Sequence, residues 1–536
     1  MQPLKIRLIE PKPASFHVYD LTNLPRLGLP LIGTILREQG HDVKVYCEIV
    51  APADEKELFS ADLVGISSLT STVPAAYEWA DRLRAAGVPT IMGGPHVTFM
   101  SDEALDHTDW VAVGEGHDTM VEFIDVFQGR RDPGSVTGLA WRDSSGMIRH
   151  NPPRKAANHE EFNALPWPDL SLIEGHDQIG VMPVMTTWGC PYDCDFCSVI
   201  QMFGRKVRER DPVEVVDLIE AHSPNRVFFY DDIFFSPKER GKAILREMIR
   251  RDVRPSWLCQ MRADAVYTSK KNRTIDYELL ELMRESNAFV ACIGFESINP
   301  STLESYNKKI DLGHITDAIA ALHKYKIGIH GMFVVGADQD SPETIRETVA
   351  FAKEHKIETI QLMVITPLPG TPYYNRLKSE GRIICDDWSL YDGHYAVVAP
   401  EGMSPYQLQK ETIKAMASFY SRDDLKSMIR RRVGKNLPYL ASLPFREPRL
   451  WGGGIKALVH LARLRGNEAL LAVERAVSRD TWYNIERRLG VLGLRAYGRQ
   501  QVERWQLQAR ASEHLARLEA FAAERGLVAR PAGATG

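Results

Sequence analysis

A chain of 536 residues exceeds what one hydrophobic core ordinarily holds, so two or three domains are expected. Apolar residues at 44% and charged residues at 25% are ordinary globular values, and a formal net charge of −4 gives no global pull toward nucleic acid. No apolar run approaches the ~18 residues of a membrane span, and the start lacks a basic-then-apolar signal pattern, so a cytoplasmic chain with reduced thiols is expected.

Short apolar runs at 6–9, 43–47, 63–67, 90–93 and 110–113 read as buried parallel strands. Helical patterns such as 30–39 and 73–86 lie between them. Five strands in this rhythm predict an α/β, doubly wound, flavodoxin-like domain over residues 1–135, with its ligand site at the carboxyl ends of the strands. Those ends are rich in hydroxyls and glycines. Ser67, Ser68, Leu69 and Thr70 follow the third strand; Gly93, Gly94, Pro95 and His96 follow the fourth; Gly114, Glu115 and Gly116 follow the fifth. Glycines let a backbone approach a bulky ligand, and hydroxyls give neutral hydrogen bonds, although each segment alone also fits ordinary turn chemistry. The connection over 11–29 is long for a βα loop, which hints at function. No G-x-G-x-x-G or Walker pattern is present, which weakens dinucleotide and nucleoside-triphosphate readings.

Residues 136–180 are punctuated by prolines and read as a linker, with a small β element around 138–148. From 181 to 400 the β/α rhythm returns. Strands are expected at 181–187, 226–230, 257–261, 289–295, 328–335 and 359–365, with helices such as 212–221 and 342–355; six βα units fit a partial barrel. Barrel sites lie at carboxyl strand ends. The first strand runs into Cys190-Pro-Tyr-Asp-Cys194-Asp-Phe196-Cys197. A cubane iron–sulfur cluster takes four thiolates, one per iron, so three clustered ligands leave one iron open to chelate a small molecule. A zinc site would be expected to bring a second cysteine or histidine pair, and seven cysteines are an odd count for a disulfide framework. Cys47, Cys259, Cys292 and Cys385 read as small core or isolated residues.

Other strand ends carry Tyr230, Asp231 and Asp232, then Gln260 and Arg262, then Glu296 and Ser297. A zwitterionic amino acid needs an acceptor and a donor nearby, but these acids also suit helix N-caps. Thr366-Pro-Leu-Pro-Gly370-Thr-Pro372 reads as a turn shaping a substrate mouth. Residues 401–525 are expected to be a mostly helical domain and 526–536 a disordered tail. Within 421–470, 11 Lys/Arg against 4 Asp/Glu give +7, which suits a solvated helix face or peripheral membrane contact.

The C-x3-C-x-aromatic-C run resembles the signature of the radical S-adenosylmethionine (SAM) superfamily. The first half resembles the cobalamin-binding domain that precedes the radical SAM barrel in one large subfamily, with similarity to the anaerobic magnesium-protoporphyrin monomethyl ester oxidative cyclase branch. The resemblance implies a (β/α)6 barrel whose Cys190, Cys194 and Cys197 hold a [4Fe–4S] cluster. It implies SAM contacts from Phe196, Tyr230, Asp231, Arg262, Glu296 and Ser297, with Lys308 or Lys309 neutralising carboxylates. Cobalamin contacts are implied for residues 67–70, 93–96 and 114–116. The D-x-H-x-x-G motif that ligates cobalt in many cobalamin proteins is absent from this domain. His96 and His117 are therefore expected as polar contacts or surface groups.

The implied activity is methyl transfer from methylcobalamin to an unactivated carbon after hydrogen abstraction by a 5′-deoxyadenosyl radical. The alternatives are a non-methylating radical cyclase acting on a tetrapyrrole or other hydrophobic substrate, and a cobalamin-binding sensor with a structural cluster. The implied partners are a hydrophobic or anionic small molecule and an electron donor such as flavodoxin or ferredoxin.

Overall fold

The computed structural model describes residues 2–13 and 24–421 without a break, and beyond them scattered positions in 423–438 and the helices Leu492–Leu507 and Ala509–Glu524. Most of the basic stretch 421–470, the tail 525–536 and part of the long connection 11–29 lie outside the described residues. The chain forms two compact units. The first comprises Met1–Leu218, Phe228–Pro237 and Thr366–Val398; the second comprises Ile219–Val227, Lys238–Ile365 and Ala399–Gly536.

In the first unit, β1 (Lys5–Glu10), β2 (Asp42–Cys47), β3 (Leu63–Ser67), β4 (Thr90–Gly93) and β5 (Trp110–Ala112) pair in parallel in the order β2-β1-β3-β4-β5. Successive residues of a strand face opposite ways, so a sheet covered on both faces needs continuous apolar strands. Leu8 joins one buried layer with Leu36, Val45 and Phe123, while its neighbour Ile9 joins the other with Val64, Ala80 and Leu83. This strand order switches direction between β1 and β3, where such folds take their ligand.

The expected linker at 136–180 is instead part of this body. β6 (Leu139–Arg142) and β7 (Ile148–His150) extend the sheet antiparallel beyond β5, and Ile173 bridges to Val45. Prolines bar a helix but do not bar an extended chain from docking, and Val136, Leu139, Leu172 and Ile173 carry the apolar surface to do so. The first unit also holds β8 (Met182–Val184), β9 (Thr187–Trp188) and β10 (Arg208–Glu209), the last antiparallel to β9. The single strand expected at 181–187 is interrupted because Thr186 turns to bond Asp231. β11 (Arg226–Phe229) is shared by both units, and in the first Tyr230 N–H bonds the Val184 carbonyl at 2.8 Å.

The second unit is built on β12 (Ser256–Met261), the small hairpin β13 (Tyr267–Ser269) and β14 (Thr274–Ile275), then β15 (Ala288–Glu296), β16 (Gly328–Val335) and β17 (Thr359–Val364). β12, β15, β16 and β17 pair in parallel in that order, and Ser256 N–H reaches the Asn225 carbonyl just before β11. β8, β11, β12, β15, β16 and β17 are the six strands of the expected partial barrel. The edge strand β17 is closed by the helical C-terminal region. Tyr420 Oη accepts from Ile360 N–H at 3.0 Å and donates to the Ile360 carbonyl at 2.7 Å, and Arg495 donates to the Glu358 carbonyl at 2.8 Å.

Candidate active site

The cysteine loop hangs from β9 and β10. Gly189 has φ +91°, and a Cβ there would lie 2.5 Å from the Lys206 carbonyl oxygen, so only glycine makes the turn into Cys190. Cys190 N–H bonds the Gly204 carbonyl and Cys197 N–H the Cys194 carbonyl, each at 3.2 Å. Cys190 is buried, and Cys194 and Cys197 are half-buried. Burial pushes the Cys197 thiol up to about 12, with Asp232, Cys194 and Cys190 adding to the rise, so the three thiols sit within electrostatic reach of one another. Bound metal cations reverse that logic by stabilising thiolates. Among the described residues no group of three or more His, Cys, Asp or Glu is arranged to hold one metal ion. The ligands of a cubane bind one iron each, so three thiols spread over one loop suit a cluster better than a single ion.

Asp231 is fully buried and its carboxylate is committed to the fold. It accepts from Thr186 N–H and Oγ1–H, and from Thr187 N–H at 2.9 Å. Its neighbour Asp232 lies within electrostatic reach of Cys197. Burial first, and the Asp231 charge second, raise the Asp232 carboxyl to about 7. Tyr230 closes β11, and Phe196 is half-buried in the loop.

In the second unit, β15 ends on a bulge between Gly294 and Glu296 that re-aims the acid, and Glu296 sits at φ +62°. Its Oε1 accepts from Lys308 Nζ at 2.5 Å. A Cβ on Gly294 would lie 2.6 Å from that carboxylate oxygen and 3.2 Å from the ammonium, so the glycine is a cradle for the pair. Lys308 thus neutralises Glu296 itself. Arg262, expected as a SAM contact, is buried and held inside the unit by Asp264 at 3.1 Å and the Lys308 carbonyl at 2.6 Å. Ser297 is buried with its Oγ accepting from Asn299 N–H at 3.0 Å, a turn-forming bond.

At the strand ends of the first domain, Gly94 has φ +103°, and a Cβ there would meet the Ser68 carbonyl at 2.5 Å. This contact brings the expected segments 67–70 and 93–96 together. Thr72 Oγ1 accepts from Leu69 N–H at 3.0 Å and shapes the turn through Thr70. Ser68 Oγ and His96 Nδ1 are buried and unpartnered, and a ligand rich in amide groups would satisfy both. Glu115 behaves differently. It forms a buried ion pair with Arg208 and accepts from Ala157 N–H at 3.1 Å, so its carboxylate is held by the fold. Gly114 and Gly116 bracket this acid at the end of β5. His117 is buried against Trp188, not at the surface. Sequence reasoning missed Arg208, Thr186 and Glu103. Arg208 lies in the charged run Val207-Arg-Glu-Arg-Asp211 just beyond the cysteine loop, which was the available signal.

A doubly wound domain with unsatisfied polar groups at the carboxyl ends of β3 and β4, and a loop of three thiols in the same unit, define an α/β protein with the groups to hold cofactors. Residues 21–124 match the B12 binding domain family and residues 184–352 the radical SAM superfamily, so the chain carries a B12-binding domain and a radical SAM domain. It is 29% identical over 448 residues to the bacteriochlorophyllide d C-12(1)-methyltransferase of Chlorobaculum tepidum, covering 81% of this chain and 90% of that one. It is 25% identical over 415 residues to the anaerobic magnesium-protoporphyrin IX monomethyl ester cyclase of Cereibacter sphaeroides, covering 72% and 64%. The solved structure of the cobalamin-dependent SAM radical enzyme OxsB shares the fold, with a TM-score of 0.64 at 16% identity, covering 99% of this chain and 82% of that one. No helix among the described residues is long and apolar enough to cross a membrane.

Proposed function

We propose that this protein is a cobalamin-dependent radical SAM C-methyltransferase that delivers a methyl group to an unactivated carbon of a hydrophobic small molecule. When bound, the [4Fe–4S] cluster supplies the electron that cleaves SAM, and cobalamin carries the methyl group. Cys190, Cys194 and Cys197 would hold the cluster. Glu296, paired with Lys308 and given room by Gly294, offers an acceptor for the amino group of SAM, and Asp232 offers another beside the thiols. Gly94 opens the backbone, and Ser68 and His96 offer their unsatisfied polar atoms, to the amide-bearing rim of a corrin.

The observation that carries the reading is that the cysteine loop and the corrin cradle belong to one compact unit, latched through the buried Glu115–Arg208 pair. Radical transfer needs the reacting groups held in fixed geometry, and a rigid latch supplies it. The methyltransferase relative supports methylation, and its named substrate supports a hydrophobic ring system. The electron would come from a flavodoxin or ferredoxin.

Anaerobically reconstituted protein with SAM, dithionite and a bacteriochlorophyllide-type acceptor is the test. Formation of S-adenosylhomocysteine, 5′-deoxyadenosine and a product heavier by one methylene supports the proposal; SAM consumption without S-adenosylhomocysteine or methylated product sinks it. The cyclase relative supports a second reading, ring formation on a porphyrin, and the same product mass separates the two.

A further inference from the structure

One carboxylate in the first unit joins three elements that the proposed chemistry does not yet use. Glu103 lies in the short helix Ser101–Ala104 beyond β4. Its Oε1 accepts from Tyr77 Oη at 3.0 Å, faces His96 Nε2 at 3.4 Å and accepts from Trp388 Nε1 at 3.0 Å, while Oε2 receives Trp388 at 3.3 Å. Trp388 arrives from 285 residues further along the chain. Its ring meets the His96 ring edge-on at 5.0 Å and the Tyr391 ring at 4.7 Å.

The Glu103 carboxylate opposite Nε2 calls for a proton on that nitrogen and fixes the orientation of the ring. The His96 side chain is 0% exposed, and Nδ1 has no partner. An orphaned ring nitrogen after β4 and an orphaned Ser68 Oγ after β3 call for partners from a ligand, and the primary amides around a corrin ring supply both N–H donors and carbonyl acceptors. The segment that carries Trp388 also touches the cluster loop, because Tyr373 N–H bonds the Asp195 carbonyl at 3.2 Å. The same segment closes on the cobalamin domain at Gly370, where any Cβ would collide with the Phe99 ring.

We propose that Glu103 is a positioning residue that couples the corrin cradle to the docking of segment 366–398. It orients the His96 ring toward a corrin amide, and it pins Trp388 over the same cradle. Filling the cradle therefore tightens a segment that rests on the cysteine loop. This inference rests on the cobalamin reading above.

The test compares the full-length protein with Glu103→Gln and Trp388→Phe, using hydroxocobalamin as the probe. The Glu103→Gln side chain keeps an oxygen for His96 but presents an N–H to the Trp388 N–H; the Trp388→Phe side chain keeps an aromatic ring and loses the donor. Two readouts are taken: affinity by visible absorption, and hydrogen exchange in 366–398 with and without hydroxocobalamin. In the wild type, hydroxocobalamin is expected to slow exchange in 366–398 as well as at 93–96. Each variant should bind roughly tenfold more weakly or worse, within the usual range of coupling between sites, and lose the protection at 366–398 while keeping its iron content. Unchanged affinity in Trp388→Phe, or wild-type protection confined to 93–96, overturns the coupling and leaves cobalamin binding intact. A wild type that binds no hydroxocobalamin removes the functional proposal as well.

Discussion

Glu115 and Arg208 meet at 2.5 Å with side chains only 4% and 2% exposed, and they tie the end of β5 to the strand that supports the cysteine loop. The contact is an ion pair whose Oε1 lacks hydrogen-bond alignment, and Arg208 is completed by the Ala157 and Phe203 carbonyls and by the Trp188 ring at 5.4 Å. Both charges have left water, so each depends on the other. Arg208→Met should cost about 3–5 kcal/mol, the usual penalty for stranding a buried charge. The double variant Glu115→Leu with Arg208→Met should recover part of that loss. Denaturant unfolding of the three proteins checks this, and a double variant no more stable than Arg208→Met contradicts it.

Cys194→Ala is expected to abolish the cluster, whereas Cys292→Ala, on β15, should leave iron content unchanged. Iron and sulfide analysis of anaerobically reconstituted protein checks both. Equal loss in the two variants would mean that the loop is not the ligand set.

Gly294→Ala tests the acid cradle in the second unit. A methyl group there would lie 2.6 Å from Glu296 Oε1, so the carboxylate and Lys308 must shift. SAM binding, followed by the change it causes in the cluster's electron paramagnetic resonance spectrum, should weaken at least tenfold with the cluster intact. Wild-type affinity in Gly294→Ala would remove Glu296 from the proposed SAM site.

His330 on β16 makes stability depend on pH. Burial lowers its pKa to about 4, with a bond to Gln361 opposing the shift. Above about pH 6.5 the ring is neutral in both folded and unfolded chains, and the native state keeps its full stability. As the pH falls from there toward 4 the unfolded chain takes up the proton first, so stability is lost through that window. The residue as a whole is half-buried, which brings the expected loss to about 2 kcal/mol. His330→Gln should flatten the decline between pH 6.5 and 4 in chemical denaturation; an identical decline in both proteins would refute it.

The strands of the first sheet were legible because parallel strands buried on both faces must be largely apolar, and 63–67 and 90–93 announce themselves by that alone. The cysteine loop was legible because ligand spacing is local. What stayed hidden was the commitment of individual polar groups. Asp231 and Asp232 are adjacent and chemically identical, and only the turn at Thr186 decides that the first is used by the fold while the second lies within electrostatic reach of Cys197. Glu115 sits between two glycines like a ligand contact, but its partner is 93 positions away in sequence, counting from 115 to 208. Such pairings arise from tertiary contact, which no local pattern encodes. The prolines of 136–180 misled for a related reason: they report what the backbone cannot do, not where it docks.

Tyr420 and Arg495 give the helices after the barrel a protective purpose. An outermost strand with bare N–H and C=O groups is a template on which a second molecule can stack its own strand. A protein shortened before Tyr420 would present Ile360 and Glu358 to its neighbours, and self-association rather than lost chemistry should be its first symptom. Attempts to trim this protein to a minimal catalytic core should therefore keep the helix that carries Arg495.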